Sequence, residues 1–138
     1  MIKIAVDGYC LNNPGKGGYQ GFVLSKDKGK ERLFEKHLQG VTTNNIVEFL
    51  AIVHAIAEMN KQGIEDFVIY TDSKTAIAWL WKKKVNTNLY LNLKTADSWT
   101  LINRAVDYLN TKARFNPENI VFWDKRKHGE NPADFGHK

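Results

Sequence analysis

The hydrophobic pattern along the chain changes period several times, and each change marks an element. Residues 1–9, Met-Ile-Lys-Ile-Ala-Val-Asp-Gly-Tyr, follow the alternation of a strand. Residues 11–18 are dense in Asn, Pro and Gly and read as a turn. Residues 19–25 and 31–39 read as two more strands, joined by a charged turn at 26–30. Links this short imply antiparallel pairing. At Asn44 the period becomes helical: Ile46, Phe49, Leu50, Val53, Ile56 and Ala57 recur along one stripe, and Gly63 ends a helix over 44–62. A short strand over 66–72 contains Phe67-Val68-Ile69-Tyr70, and a second helix spans 73–84. A third helix is expected over 91–111, with Trp99, Ile102, Val106 and Leu109 on one stripe. A fifth strand spans 119–124, and Asn131-Pro132 reads as the cap and first position of a last short helix.

Three linked strands followed by strands separated by helices predict an α/β fold. It has a mixed five-stranded sheet, three strands antiparallel and the later ones parallel, flanked by helices. The 138 residues are expected to form a single domain, since domains typically hold ~100–200. Composition adds exclusions. The one cysteine, Cys10, rules out an intramolecular disulfide and a thiolate zinc site. No apolar run approaches the ~18 residues of a membrane span, and the N-terminus is too short and charged for a signal peptide. A cytoplasmic location and no membrane partner are the expectation. The net charge of +5 is unevenly spread: residues 1–69 balance, and residues 70–138 hold the whole excess. A basic half suggests a polyanionic partner, nucleic acid first, although the same charge also serves solubility.

Several acids stand where apolar residues would be expected. Asp7 directly follows Ile4-Ala5-Val6, and Asp72 follows Val68-Ile69-Tyr70-Thr71. Glu48 heads a helical face continued by Ile52, Ala55 and Met59. Asp134 follows Asn131 by three residues, and Glu130 lies four before it. Each has an ordinary reading as well. Asp7 suits a turn before Gly8, Asp72 a cap for the helix at Ser73, Glu48 a capping box with Asn45, and Asp134 and Glu130 a helix start. Taken together, oxygen ligands from separate elements, with few histidines and one cysteine, fit a hard divalent cation such as magnesium. Two such ions suit in-line displacement at a phosphodiester.

At these residues the chain resembles type 1 ribonuclease H, the family that cuts the RNA strand of an RNA–DNA hybrid. Val6-Asp7-Gly8 followed by Asn13-Pro14-Gly15 resembles the family's first strand and turn. Thr43-Asn44-Asn45-Ile46-Val47-Glu48 resembles its Thr-Asn-Asn-x-x-Glu, and Tyr70-Thr71-Asp72-Ser73 its strand-end Thr/Ser-Asp-Ser. Gly129-Glu130-Asn131-Pro132-Ala133-Asp134 resembles the C-terminal motif of a compact bacterial subgroup. Four motifs in order, over nearly the whole chain, form a specific signature. The resemblance implies metal-binding acids at Asp7, Glu48, Asp72 and Asp134, with two Mg²⁺ ions per site and Mn²⁺ as a substitute. Glu130 matches a fifth acid that aids metal exchange or product release. Asn13, Asn44 and Asn45 match positions that meet the minor groove, where an amide suits the 2′-hydroxyl. Thr43, Thr87 and Asn88 match a pocket for a DNA-strand phosphate.

There are departures. Lys74 and Lys125 stand where related sequences carry neutral polar residues, and residues 85–90 leave no room for the basic insertion of some relatives. The chain begins at the catalytic strand, without an amino-terminal hybrid-binding domain; Met1 and the abrupt end suggest a free-standing enzyme, with a piece of a polymerase as the alternative. His128 receives no role. Lys125-Arg126-Lys127 is a candidate phosphate contact, and Lys125 is assigned to substrate binding. Of the tryptophans, Trp99 and Trp123 are assigned to the core, and Trp79 and Trp81 cannot both face inward. The expectation is a monomeric, magnesium-dependent endonuclease on RNA–DNA hybrids, leaving 5′-phosphate and 3′-hydroxyl ends. The alternatives are a non-catalytic hybrid- or duplex-binding module, or a DNA-strand nuclease or integrase of the same fold superfamily.

Overall fold

The computed structural model describes residues 1–25, 27, 29–129 and 131–133. In chain order they form strands β1 (Ile2–Cys10), β2 (Gly17–Ser25) and β3 (Gly29–His37), helix α1 (Asn44–Lys61) and strand β4 (Phe67–Thr71). Helices α2 (Lys74–Lys82) and α3 (Ala96–Thr111), strand β5 (Ile120–Phe122) and helix α4 (Lys125–His128) follow. One sheet holds the strands in the order β3-β2-β1-β4-β5. The β1–β2 and β2–β3 pairs are antiparallel, and the β1–β4 and β4–β5 pairs are parallel. The mixed sheet expected from the element order is therefore the one observed.

Alternation on β1 divides the sheet's two faces. Ile4 and Val6 join the large core that includes Phe49, Ile52 and Ile56 of α1, whereas Ala5 belongs to a second cluster with Phe22 and Ala133. The pattern on α1 is apolar nearly all round, because the helix is covered twice. It packs on β1, β2 and β4, and α2 and α3 pack on it in turn through Trp79, Leu80, Ile102 and Leu109. The opposite face of the sheet is met by the end of the described chain. Asn131 Nδ2 donates to Val6 O at 3.0 Å, and Gln20 Nε2 donates to Ala133 O at 2.8 Å. Among the described residues no helix is long and apolar enough to cross a membrane.

Boundaries differ from the sequence reading where side chains intervene. The third helix starts at Ala96 rather than Leu91. Asn92 Oδ1 accepts from the Lys94 and Thr95 amides, and Thr95 Oγ1 donates to Tyr90 O, so this stretch is a hydrogen-bonded turn. The sequence reading did not include α4, which Asp124 caps by accepting from Arg126 N. Trp79 is buried and Trp81 is exposed, in line with their spacing; Trp99 is half-buried and packs against the main core, whereas Trp123 is half-buried and lies outside it. Of the last helix expected from Pro132, Pro132 and Ala133 form a turn in which Asn131 Oδ1 accepts from Ala133 N, and the rest lies outside the described residues.

Candidate active site

Register brings the first two acids level. The β1–β4 ladder ends at the Ala5–Tyr70 pair, so Asp7 and Asp72 follow on neighbouring strands at the same height and on the same face. This is the carboxyl end of a parallel pair, where open α/β sheets place their ligands. Neither acid serves the ordinary role open to it in the sequence. Asp7 lies within β1, paired with Gln20, rather than in a turn. The cap of α2 is Ser73, whose side chain accepts from Ala76 N, which leaves Asp72 outside the helix.

Glu48 is released from capping in the same way. The cap of α1 is Thr43, which accepts from Ile46 N, so Glu48 lies two residues past the box position. Its Oε1 accepts from Gly8 N at 3.0 Å, tying α1 to β1 beside Asp7. Gly8 is required for this approach: a Cβ there would come 2.6 Å from Val47 Cγ2 and 3.0 Å from Glu48 N.

Asp7, Glu48 and Asp72 each place one carboxylate oxygen within 4.8 Å of the others. Asp7 is 0 % and Glu48 1 % exposed, and the Asp72 side chain is 12 % exposed. Carboxylates this close and this buried repel one another and call for a cation. The Lys125 ammonium, 3.7 Å from Asp72 Oδ2, offsets one of the three charges. An all-oxygen donor set on three separate elements matches a hard divalent cation, so the residues fit such a metal.

Glu48 and Asp72 open into a cleft of about 590 Å³ that Asn44, Asn45, Lys125 and Arg126 also line. Asn45 also lines a second pocket of about 380 Å³, where Asn13, Thr43, Thr87 and Asn88 gather. Every substrate residue expected from the sequence thus lies in one of two adjoining hollows. Asn13 has a structural duty as well, its Oδ1 accepting from Asn44 N at 2.9 Å. Lys125 lies in the acid-lined cleft, against Asp72. Asp134 and Glu130 lie outside the described residues. Ala133, the residue before Asp134, is held by Gln20, the sheet partner of Asp7.

Sequence reasoning missed Phe122 and Trp123, which line the cleft. The run Ile120-Val121-Phe122-Trp123 reads as a fifth strand with Trp123 in the core, but β5 is an edge strand and Phe122 is 37 % exposed, with the Lys74 ammonium 5.0 Å from its ring centroid.

Comparison with known proteins adds an independent line. The RNase H family model matches residues 1–124. A ribonuclease H from Wigglesworthia glossinidia brevipalpis is 34% identical over 122 residues, covering 83% of this chain and 72% of its own. One from Ehrlichia ruminantium is 34% identical over 114 residues, covering 78% and 75%. Among solved structures, RNase H1 from the halophilic archaeon Halobacterium salinarum aligns with a TM-score of 0.57 at 22% identity, covering 96% of this chain and 92% of that one. LC11-RNase H1, solved in complex with an RNA/DNA hybrid, aligns at 0.52 and 19% identity, covering 89% and 83%. At such identities the structures establish a shared fold. With the family match and the curated relatives beside it, the chain belongs to the ribonuclease H family.

Proposed function

We infer that this chain is an endoribonuclease that hydrolyses the RNA strand of RNA–DNA hybrids. The observation that carries the reading is the convergence of Asp7, Glu48 and Asp72 at the carboxyl ends of β1 and β4, in a chain of this family. Asp7, Glu48 and Asp72 would hold two Mg²⁺ ions, with Mn²⁺ as a substitute, and Asp134 and Glu130 would complete the set from the chain's end. When bound, such ions supply Lewis acidity, an activated water and charge stabilisation on the leaving oxygen.

The chain's own residues supply alignment. The Gly8 N–H fixes Glu48, and the β1–β4 register fixes Asp7 against Asp72, so the carboxylates are preorganised before substrate arrives. Asn44 and Asn45, at the start of the helix that bears Glu48, would read the 2′-hydroxyl, while Asn13 holds that helix start in place. Thr43, Thr87 and Asn88 would grip a DNA-strand phosphate in the adjoining pocket. Hybrid held at both hollows places one phosphodiester of the RNA strand over the acids, and misalignment of any other duplex lowers its rate. The products would carry 5′-phosphate and 3′-hydroxyl ends. The reading is of a monomer acting in the cytoplasm.

The test is cleavage of a labelled RNA–DNA hybrid with magnesium and with chelator, beside matched DNA and RNA duplexes. Magnesium-dependent cutting of the RNA strand in the hybrid alone supports the reading. Equal cutting of the DNA duplex, or binding without cutting, would turn it to the DNA-strand nuclease or the binding module.

A further inference from the structure

One row along the sheet from Asp7, three strands bring a tyrosine, a histidine and a glutamate together. Asp7 pairs with Gln20 and Gln20 with Glu35; the next row on that face is Tyr9, Gly18 and His37. Tyr9 Oη lies 2.6 Å from His37 Nδ1, and His37 Nε2 lies 2.8 Å from Glu35 Oε2. Arg32 holds the other oxygen of Glu35 at 3.0 Å. Gly18 makes the meeting possible: a Cβ there would come within 2.9 Å of both Tyr9 Cε1 and His37 Nδ1. The His37 and Glu35 side chains are 54% and 31% exposed, so the chain of bonds stands at the surface rather than in the core.

The direction of these bonds follows from the donors available. An ionised carboxylate only accepts, so His37, in its neutral form, carries its proton on Nε2 and offers Nδ1 as an acceptor. Tyr9 therefore donates its hydroxyl proton to His37. A phenol keeps its proton at neutral pH. With that proton directed at His37, the phenol oxygen acts toward a ligand as an acceptor of fixed orientation.

We propose that Tyr9, oriented by His37 and Glu35, is a specificity residue that accepts a hydrogen bond from the 2′-hydroxyl of the RNA nucleotide next to the scissile phosphate. The proposal rests on the hybrid-cleaving reading above. Two residues along a strand span about 6.6 Å, the scale of one step along a sugar–phosphate backbone. An RNA strand lying along β1 with its phosphate at Asp7 would carry a neighbouring ribose past the Tyr9 row. A fixed acceptor selects a donor: ribose has one at that carbon, and deoxyribose and 2′-fluororibose do not. His37 and Glu35 act as positioning residues, since they set the phenol's direction without reaching the sugar.

The experiment compares the parent, Tyr9→Phe and His37→Ala on a hybrid with a defined cut site. A series of RNA strands carries a single 2′-fluoro nucleotide at successive positions around that site. The parent should lose about three- to tenfold in kcat/KM at one position, the size of one net hydrogen bond. Tyr9→Phe should lose a similar factor on the all-ribose hybrid, lose nothing more at that position, and keep the parental losses elsewhere. His37→Ala should show a weaker form of the same coupling. A structural role would lower the rate on every hybrid alike and leave the parental loss at that position in place. Parental rates for Tyr9→Phe on the all-ribose hybrid, or losses that add in full at every position, would overturn this proposal alone. A parent that fails to cut the hybrid would overturn the reading beneath it as well.

Discussion

Lys125 shows how a single side chain changes meaning once its neighbours are known. In the sequence it belongs to a basic run and reads as a phosphate contact; in the structure its ammonium sits 3.7 Å from Asp72 Oδ2, at the edge of the acidic cluster. It can serve both charges, neutralising carboxylate before a divalent ion binds and meeting phosphate afterwards. Because the side chain is 47% exposed, its pairing with Asp72 is screened and contributes little to stability on its own. Lys125→Ala should weaken hybrid binding and reduce the salt dependence of that binding by about one phosphate contact. The same variant should gain a larger rise in melting temperature from millimolar magnesium than the parent does, because a tethered competitor has been removed. Melting curves with and without magnesium check the second effect. An equal rise in both proteins would remove Lys125 from the metal's surroundings.

Among the elements, those with strong periodicity were legible from the sequence: five strands, the long α1 and the short α2 all stand where alternation or the helical stripe put them. The hidden features are ones that a one-dimensional pattern does not carry. Helix α4 is four residues of Lys, Arg and His with no apolar stripe. The start of α3 was masked by Leu91 and Leu93, which look like a helical continuation and are 71% and 98% exposed in the turn before it. The acids Asp7, Glu48 and Asp72 could be named, but their ordinary alternatives could be removed only by seeing Thr43 and Ser73 take the caps. The Tyr9–His37 pair needed the register of three strands. The contact of α1 with β1 carries its own prediction. Gly8→Ala inserts a methyl group against Val47 and the Glu48 amide, so α1 must shift away from β1. Activity should fall by at least tenfold, with a cost of about 1–3 kcal/mol in stability. Denaturant unfolding alongside hybrid cleavage checks this, and a stable variant with parental activity would show that the β1–α1 spacing does not set the site.

At the scale of the whole molecule, the sheet separates two kinds of ionisable group: the acids at the carboxyl ends of its central strands, and a histidine packed on the covered face. His54 on α1 stacks on Phe34 with ring centroids 4.1 Å apart and meets Tyr19 Oη at 2.9 Å through Nδ1. Burial holds its pKa below the usual 6.5, with Lys36 lowering it further and Glu58 working the other way. A histidine depressed in the folded state takes up its proton more readily when unfolded. The stability it contributes is therefore present above about 6.5 and lost as pH falls toward the folded value. The melting temperature should drop between pH 7.5 and 5.5, and His54→Gln should flatten that drop. An unchanged slope in the variant would assign the acid sensitivity elsewhere. Cleavage of a hybrid's RNA strand by the cluster of Asp7, Glu48 and Asp72 is tested most directly by Asp72→Asn, since the exchange keeps size and removes charge. With saturating magnesium and an end-labelled hybrid, the parent should release RNA fragments ending in 3′-hydroxyl, while Asp72→Asn should bind the hybrid and leave it intact; turnover by Asp72→Asn within tenfold of the parent would contradict the account.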